Sequence, residues 1–231
     1  MLKAIPTLII ILFSAPLFAQ SPRLGPSDAN AKWYQDGWIF NANFGTRAFG
    51  KVSDTINQAP ALALSGAFGY NFNQWDLLGR VDYYNHFMIP GYKGNNESIA
   101  HSVALSLLGN FKLIPLFGGD PAAPWQIDAY IGSGLTTSWN RDMMNLVESN
   151  PNFTEWQDPF LPGKDDMGHI LLGVTPKYYF NPRVALSLDI STFMLFSQDF
   201  TYDYTERITG EGLGGIMTYS LGITIRPKFY K

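Results

Sequence analysis

The 231-residue sequence contains no cysteine, so an exported protein of this length must hold its fold without disulfide bonds. For the same reason it cannot be anchored through a lipidated cysteine. Its three histidines, His86, His101 and His169, are too few and too scattered to predict a metal site. The net charge of -3 lacks the basic excess of nucleic-acid-binding proteins. We therefore expect no nucleic-acid partner, no metal and no cofactor.

Long apolar runs are also missing, except at the amino terminus. Lys3 precedes an almost wholly apolar stretch that reaches Phe18, and Ala19 is a plausible cleavage position. This pattern predicts a signal peptide over residues 1–19. A membrane-spanning helix is the alternative, but the run is short and is broken by Pro6 and Pro16.

Aromatic residues and glycine are plentiful, and they follow a period of two. Side chains at alternate positions of a β-strand point to opposite faces, so this period predicts strands. No segment has a convincing helical period. Eight segments carry the pattern: Gly37–Phe49, Ala61–Tyr70, Trp75–Phe87, Ile99–Lys112, Trp125–Leu135, Gly168–Phe180, Val184–Phe196 and Gly215–Phe229.

The polar faces of these segments distinguish a membrane barrel from a soluble sandwich. Most polar faces consist of glycine, alanine, serine, threonine and asparagine with sparse charges, which suits a narrow packed lumen. A sandwich would turn those faces to water and carry charges on every strand. We therefore predict an all-β fold, a transmembrane antiparallel up-and-down β-barrel of about eight strands.

Short and long connections alternate between the predicted strands. Residues 71–74 and 181–183 form tight turns, and residues 114–124 form a link rich in proline and glycine. Longer polar connections lie at 50–60, 90–98, 136–167 and 197–214. Outer-membrane barrels place short turns in the periplasm, so both termini are expected there. The predicted divisions are residues 1–19, 20–36 as an N-terminal periplasmic segment, and 37–231 as an outer-membrane β-barrel.

Two sets of side chains are candidate site residues. The first should line the lumen as a salt-bridge and hydrogen-bond network that plugs the barrel, with an ion pathway or gate as the alternative. Its members are Arg47, Asp76, Arg80, Asp82, Asp128, Lys177, Asp189 and Arg226. The second set should form an aromatic girdle at the membrane interface. Its members are Trp38, Tyr70, Trp75, Trp125, Tyr178 and Tyr219.

The strand-turn-strand unit from Gly173 to Leu186, together with Gly66 to Phe72, resembles the outer membrane protein A-type family of small eight-stranded barrels. The last segment, which carries Phe229 and Tyr230 before Lys231, is similar to the final strand that the barrel assembly machinery recognises. The resemblance implies a multi-pass barrel in the bacterial outer membrane. Larger members add a periplasmic peptidoglycan-binding domain, a function that we do not carry over.

These observations favour a non-enzymatic protein with a structural or surface-interaction role, in contact with outer-membrane lipid. The connection 136–167 mixes acidic and aromatic residues, so it could bind an extracellular ligand or simply be solvated. A narrow pore for ions or small solutes is the alternative function. A lipid-modifying enzyme is the third, because His101-Ser102 resembles residues of outer-membrane lipid A deacylases. Adjacent strand residues point to opposite faces, however, and cannot easily share a proton.

Overall fold

The structure is a computed structural model, and it describes residues 37–49, 61–72, 75–88, 98–120, 123–141, 164–196 and 214–227. Its strands are β1 (Gly37–Phe49), β2 (Ala61–Phe72), β3 (Trp75–Met88), β4 (Ser98–Lys112), β5 (Trp125–Asn140), β6 (Lys164–Asn181), β7 (Val184–Phe196) and β8 (Gly214–Ile225). Each strand pairs antiparallel with the next, and β1 pairs with β8. The predicted eight-stranded closed barrel is confirmed.

The alternation of side chains is that of a barrel with an apolar exterior. Phe44, Leu135 and Leu221 are 65%, 71% and 61% exposed on the outer face. The side chains between such positions are buried inside, and many of them are polar. A soluble sandwich would bury the apolar faces instead, so this inversion is what lipid contact requires. Within the described ranges, no helix has the length and apolar character needed to cross a membrane.

Two predicted strands were too short by at least four residues, and β2 continues two residues past its predicted end, to Phe72. β5 continues to Asn140 and β6 begins at Lys164, because pairing runs without a break from Thr136↔Met167 to Trp139↔Lys164. The predicted loop 136–167 was therefore wrong at both ends, and the connection covers residues 141–163. Polar residues occupy both faces of the strands here, so the period-two contrast that marks a strand disappears.

The last predicted strand was too long. β8 ends at Ile225, and Arg226 and Pro227 follow outside the strand. Proline has no amide hydrogen to extend the ladder. The aromatic residues Phe229 and Tyr230 lie outside the described residues, as do the predicted signal peptide and the segment 20–36.

A short helix was missed in the link after β4. Helix α1 (Leu113–Leu116) places the amide of Phe117 3.0 Å from the carbonyl oxygen of Leu113. Gly118 follows with a φ of 80°, a conformation that favours glycine, and the chain turns there. Four residues are too few to show a helical period, which is why the sequence did not indicate it.

The β6–β7 turn keeps the compact form that the sequence predicts. The Oδ1 atom of Asn181 accepts hydrogen bonds from the amides of Arg183 and Val184, at 2.8 and 3.0 Å. This side chain stabilises the turn by imitating a backbone carbonyl. Pro176 lies within β6 and is the register partner of Ile127 of β5.

Candidate functional site

The lumen has two halves with different chemistry. We call the rim that carries α1 and the β6–β7 turn the turn-side rim, and the opposite one the loop-side rim. The turn-side half of the lumen contains eight buried charged side chains: Asp76, Arg80, Asp82, Lys112, Asp128, Lys177, Asp189 and Arg226. Four are acidic and four are basic, so their formal charges cancel.

The first cluster of this half is built on Arg80. Its guanidinium donates to Asp82 at 2.7 and 2.9 Å, and its Nη2 donates to the Oδ2 of Asp189 at 3.0 Å. Nη1 donates to the Tyr130 hydroxyl at 2.8 Å, and that hydroxyl donates to Asp189 at 2.8 Å. Thr175 also donates to Asp189, at 3.0 Å. Strands β3, β5, β6 and β7 are thereby joined across the lumen.

The second cluster is built on Asp76 and Asp128. The Nζ atom of Lys177 donates to Asp128 at 2.6 Å, and the side-chain amide of Asn110 donates to Asp76 at 2.7 Å and to Asp128 at 3.1 Å. Lys112 lies 3.4 Å from Asp76. Charge-assisted hydrogen bonds of this kind are stronger than those between neutral groups.

All eight of the predicted lumen charges are buried on the inner face. Six of them belong to the two clusters, whereas Arg47 and Arg226 are placed differently. The Arg47 guanidinium lies 4.5 Å from the centre of the Tyr84 ring, and that of Arg226 lies 5.2 Å from the Tyr179 ring. Cation–π contacts thus accompany both arginines. That the set plugs the barrel stays a prediction.

Sequence reasoning missed four members of the network: Asn110, Lys112, Tyr130 and Thr175. Lys112 and Asn110 share the inner face of β4, and Tyr130 shares the inner face of β5 with Asp128. The same alternation would have found Lys112, since it lies two residues after Asn110. The role of the Tyr130 hydroxyl, which joins a base to an acid, had no sequence signal beyond its inward position.

A small cavity separates the two clusters. Its volume is about 20 Å³, and it is lined by Arg80, Tyr130, Lys177 and Asp189 together with polar residues of β1, β4 and β8. A space of this size holds about one water molecule. It is far smaller than the aqueous channel of a large porin.

The loop-side half of the lumen is filled by aromatic, aliphatic and hydroxyl side chains. The rings of Tyr84 and Phe193 lie 5.7 Å apart, and His169 meets Phe193 edge-on at 5.3 Å. The Nε2 of His169 is 2.8 Å from the Ser106 hydroxyl, and its Nδ1 is 2.8 Å from that of Thr136. Arg47 is the one charged side chain among those described in this half.

The pair Ser106 and His169 has the spacing of a nucleophile and its base, but the surroundings differ from a hydrolase site. The second imidazole nitrogen bonds a hydroxyl, where a catalytic triad has a carboxylate. His169 is also fully buried, so a substrate has no visible access to it. In the other candidate pair, Ser102 is buried and bonds Ser138 at 2.7 Å, while His101 is on the outer face.

Five of the six predicted girdle residues lie near the turn-side rim on the outer face. Trp38 packs against Tyr70 at 5.5 Å, and Trp125 packs against Tyr178 at 4.8 Å. Trp75 stacks on Phe72 at 4.5 Å. The placement of the sixth was wrong: Tyr219 lies in the middle of β8, opposite Ile190 and Thr46. It is five residues from Gly214 and six from Ile225, the two ends of β8.

No protein-family model matches the chain, and no curated protein matches its sequence. Solved structures, however, are similar to its fold. The crystal structure of Neisserial surface protein A is similar with a TM-score of 0.52 and 12% identity, over 83% of this chain and 97% of that one. OprG from Pseudomonas aeruginosa has a TM-score of 0.46 and 10% identity, over 84% of this chain and 98% of that one.

A major outer membrane protein from Thermus thermophilus has a TM-score of 0.46 and 15% identity, over 82% of this chain and 99% of that one. The expected resemblance to small outer-membrane barrels is confirmed at the level of the fold. The chain is an eight-stranded β-barrel of the outer-membrane type.

Proposed function

We propose that this protein is a non-enzymatic barrel of the bacterial outer membrane, closed by its charged network, that acts through its outer surface and loops. The proposal rests on the burial and pairing of the charged side chains in the turn-side half of the lumen. Its four acids and four bases are buried, and seven of the eight make hydrogen bonds or ion pairs of 3.4 Å or less within the two clusters. The space between the clusters is about 20 Å³, which supports closure of the lumen to solutes.

The orientation belongs to the same proposal. At the turn-side rim, two connections, 73–74 and 182–183, have two residues each and the third covers 113–124. The connections at the other rim span residues 50–60, 89–97, 141–163 and 197–213. Outer-membrane barrels keep short turns in the periplasm. Both chain termini would then be periplasmic. The carboxyl-terminal strand would meet the barrel assembly machinery from that side.

Single-channel recording of the purified protein in planar bilayers tests the closure. We expect no stable open state from the wild type. The double variant Arg80→Ser/Asp82→Ser removes one cation and one anion beside the cavity, keeps the network neutral, and should conduct. The matched control Thr137→Ala/Asp166→Ala removes a bonded pair on the outer face and should stay silent.

Two outcomes would contradict the proposal. A large, stable conductance from the wild type would support the alternative function, a narrow pore. A silent double variant would show that these charges do not close the lumen. In both cases, recovery of folded barrel should be verified by its heat-modifiable mobility in gels before conductance is interpreted.

The surface role is proposed for the loop-side connections, which lie outside the described residues. The acidic and aromatic residues of 141–163 are the candidate contacts for an extracellular ligand. Deleting Asn145 to Pro162 and measuring cell adhesion tests this role. Unchanged adhesion would leave the loop as solvated surface, while reduced adhesion with normal barrel assembly would support the proposal.

A further inference from the structure

Three aromatic rings form a row on the outer face near the loop-side rim. Tyr83 of β3 and His101 of β4 have ring centres 6.0 Å apart, and His101 and Trp139 of β5 have ring centres 5.7 Å apart. The interplanar angles are 27° and 25°, so the three rings stack. All three side chains are half-buried. We call them the rim cluster.

The hydrogen bonding within the rim cluster determines which ring N–H groups remain available as donors. The Tyr83 hydroxyl lies 2.7 Å from the Nδ1 of His101. When the hydroxyl donates, Nε2 carries the ring hydrogen. Within the described ranges, no second hydrogen bond is made by His101. The indole N–H of Trp139 can only donate, so with this tautomer of His101 the row offers two N–H groups at a lipid-facing surface.

A basic residue adjoins the cluster. Arg141 lies two residues after Trp139, directly after β5, and its side chain is exposed. The neighbouring acid, Asp166, accepts a hydrogen bond of 2.6 Å from Thr137. The cluster therefore combines N–H donors with the guanidinium of Arg141. This combination suits a ligand that is anionic and accepts several hydrogen bonds.

Among the described residues, the aromatic girdle of the turn-side rim has a different composition. Its outer-face girdle contains tryptophan, tyrosine and phenylalanine rings packed on one another, such as Trp38 on Phe68 at 4.8 Å and Tyr178 on Phe180 at 5.4 Å. Histidine is absent from the described outer-face positions there. The two interfaces of one barrel are thus different, although hydrophobic matching alone would require the same girdle at both.

We propose that the rim cluster, with Arg141, binds the phosphate of a lipid headgroup in the outer leaflet of the outer membrane. The inference rests on the proposed orientation, which places the loop-side rim at that leaflet. A phosphate there accepts from His101, Trp139 and the guanidinium, while the stacked rings cover the sugar or glycerol and upper acyl carbons. The cluster would hold one lipid at a fixed place on β3, β4 and β5.

Binding can be measured on the purified full chain in a neutral detergent by native mass spectrometry. The probes are bisphosphorylated lipid A, lipid A freed of phosphate, and phosphatidylglycerol. The variant His101→Phe keeps a stacked ring but removes both nitrogens, and Arg141→Ala removes the guanidinium. Tyr178→Phe changes one hydroxyl at the other rim and is the matched control.

We expect bisphosphorylated lipid A to bind at least about tenfold more tightly than the dephosphorylated form. His101→Phe and Arg141→Ala should each weaken it about three- to tenfold, and Tyr178→Phe should leave it unchanged. Equal binding of both lipid A forms would overturn the phosphate assignment. Stronger binding of phosphatidylglycerol would overturn the assignment to the outer leaflet, and an unaffected His101→Phe would overturn the site.

Failure of this site and failure of the proposed function give different results. The sequence has no cysteine, so Arg141→Cys creates a unique thiol. A membrane-impermeant maleimide should label it on intact cells if the loop-side rim faces outward. Labelling together with absent lipid binding overturns only the lipid site. Absent labelling on intact cells, with labelling after lysis, overturns the orientation on which the site depends.

Discussion

In the turn-side half of the lumen, seven of the eight charged side chains make hydrogen bonds or ion pairs that cross between strands, whereas the loop-side half is packed mainly by rings, aliphatic groups and hydroxyls. The side chains of both halves are buried, but burial makes different demands on them. Charges removed from water need partners at defined positions. Apolar side chains need only complementary shape. The turn-side half should therefore tolerate single changes poorly, and the loop-side half should tolerate matched apolar replacement.

The largest expected effect is that of Asp189→Ala. Asp189 accepts from Arg80, Tyr130 and Thr175, so its loss leaves a buried guanidinium and two hydroxyls without a shared acceptor. We expect the free energy of unfolding to fall by about 3–5 kcal/mol. Urea unfolding in lipid vesicles, followed by tryptophan fluorescence, measures it. Ser187→Ala on the same face of β7 is the control. An equal fall in the free energy of unfolding in both variants would show that Asp189 stabilises the barrel no more than Ser187 does.

The next effect is the coupling between Lys177 and Asp128, whose charged atoms are 2.6 Å apart. Lys177→Met and Asp128→Asn each leave the other group with less compensation, while the double variant removes the charge from both positions. The coupling energy in the double-mutant cycle should be about 1–3 kcal/mol. Additive single effects, measured by the same unfolding experiment, would mean that the two side chains are hydrated separately.

The loop-side half should respond in the opposite way. Ser106→Ala removes one hydrogen bond to His169 and should cost about 1 kcal/mol. The triple variant Ser106→Ala/Thr136→Val/His169→Leu removes all the polar partners together. We expect it to unfold within about 1 kcal/mol of the wild type, because replacing both sides of a hydrogen bond by apolar groups is nearly neutral. A triple variant far less stable than Ser106→Ala would contradict the comparison.

The same comparison explains what the sequence could predict. Whether a side chain points inward depends on its position in its own strand, so alternation placed Asp76, Arg80 and Asp82 inside without knowledge of any neighbour. Which charges meet depends on the register between strands that are distant in sequence. Arg80 and Asp189 are 109 residues apart, and nothing near either residue indicates the other. Individual partners therefore required the three-dimensional structure.

The strand ends were predictable only where polarity changes. β1 and β7 were predicted to the residue, because contrast between their faces persists along their length. The contrast fails near the loop-side rim, where Thr137 faces outward and Ser138 inward, and β5 was cut short there. At the other rim, Pro227 ends β8 although the apolar alternation suggests that the strand continues. A single proline can outweigh a pattern that extends over many residues.

The smallest expected effect, that of salt, tests whether the turn-side half is dry. Salt screens exposed charge pairs strongly, but it screens buried pairs little because ions do not enter. Arg80, Asp82 and Asp189 are each at most 5% exposed. Raising NaCl from about 0.1 to about 1 M should therefore change the contribution of this network to the free energy of unfolding by less than about 0.5 kcal/mol. Asp189→Ala measured at both concentrations isolates that contribution, since general salt effects on unfolding cancel in the difference from wild type. If the destabilisation caused by Asp189→Ala falls by half at high salt, ions reach the network. The lumen would then be an aqueous path rather than a packed interior.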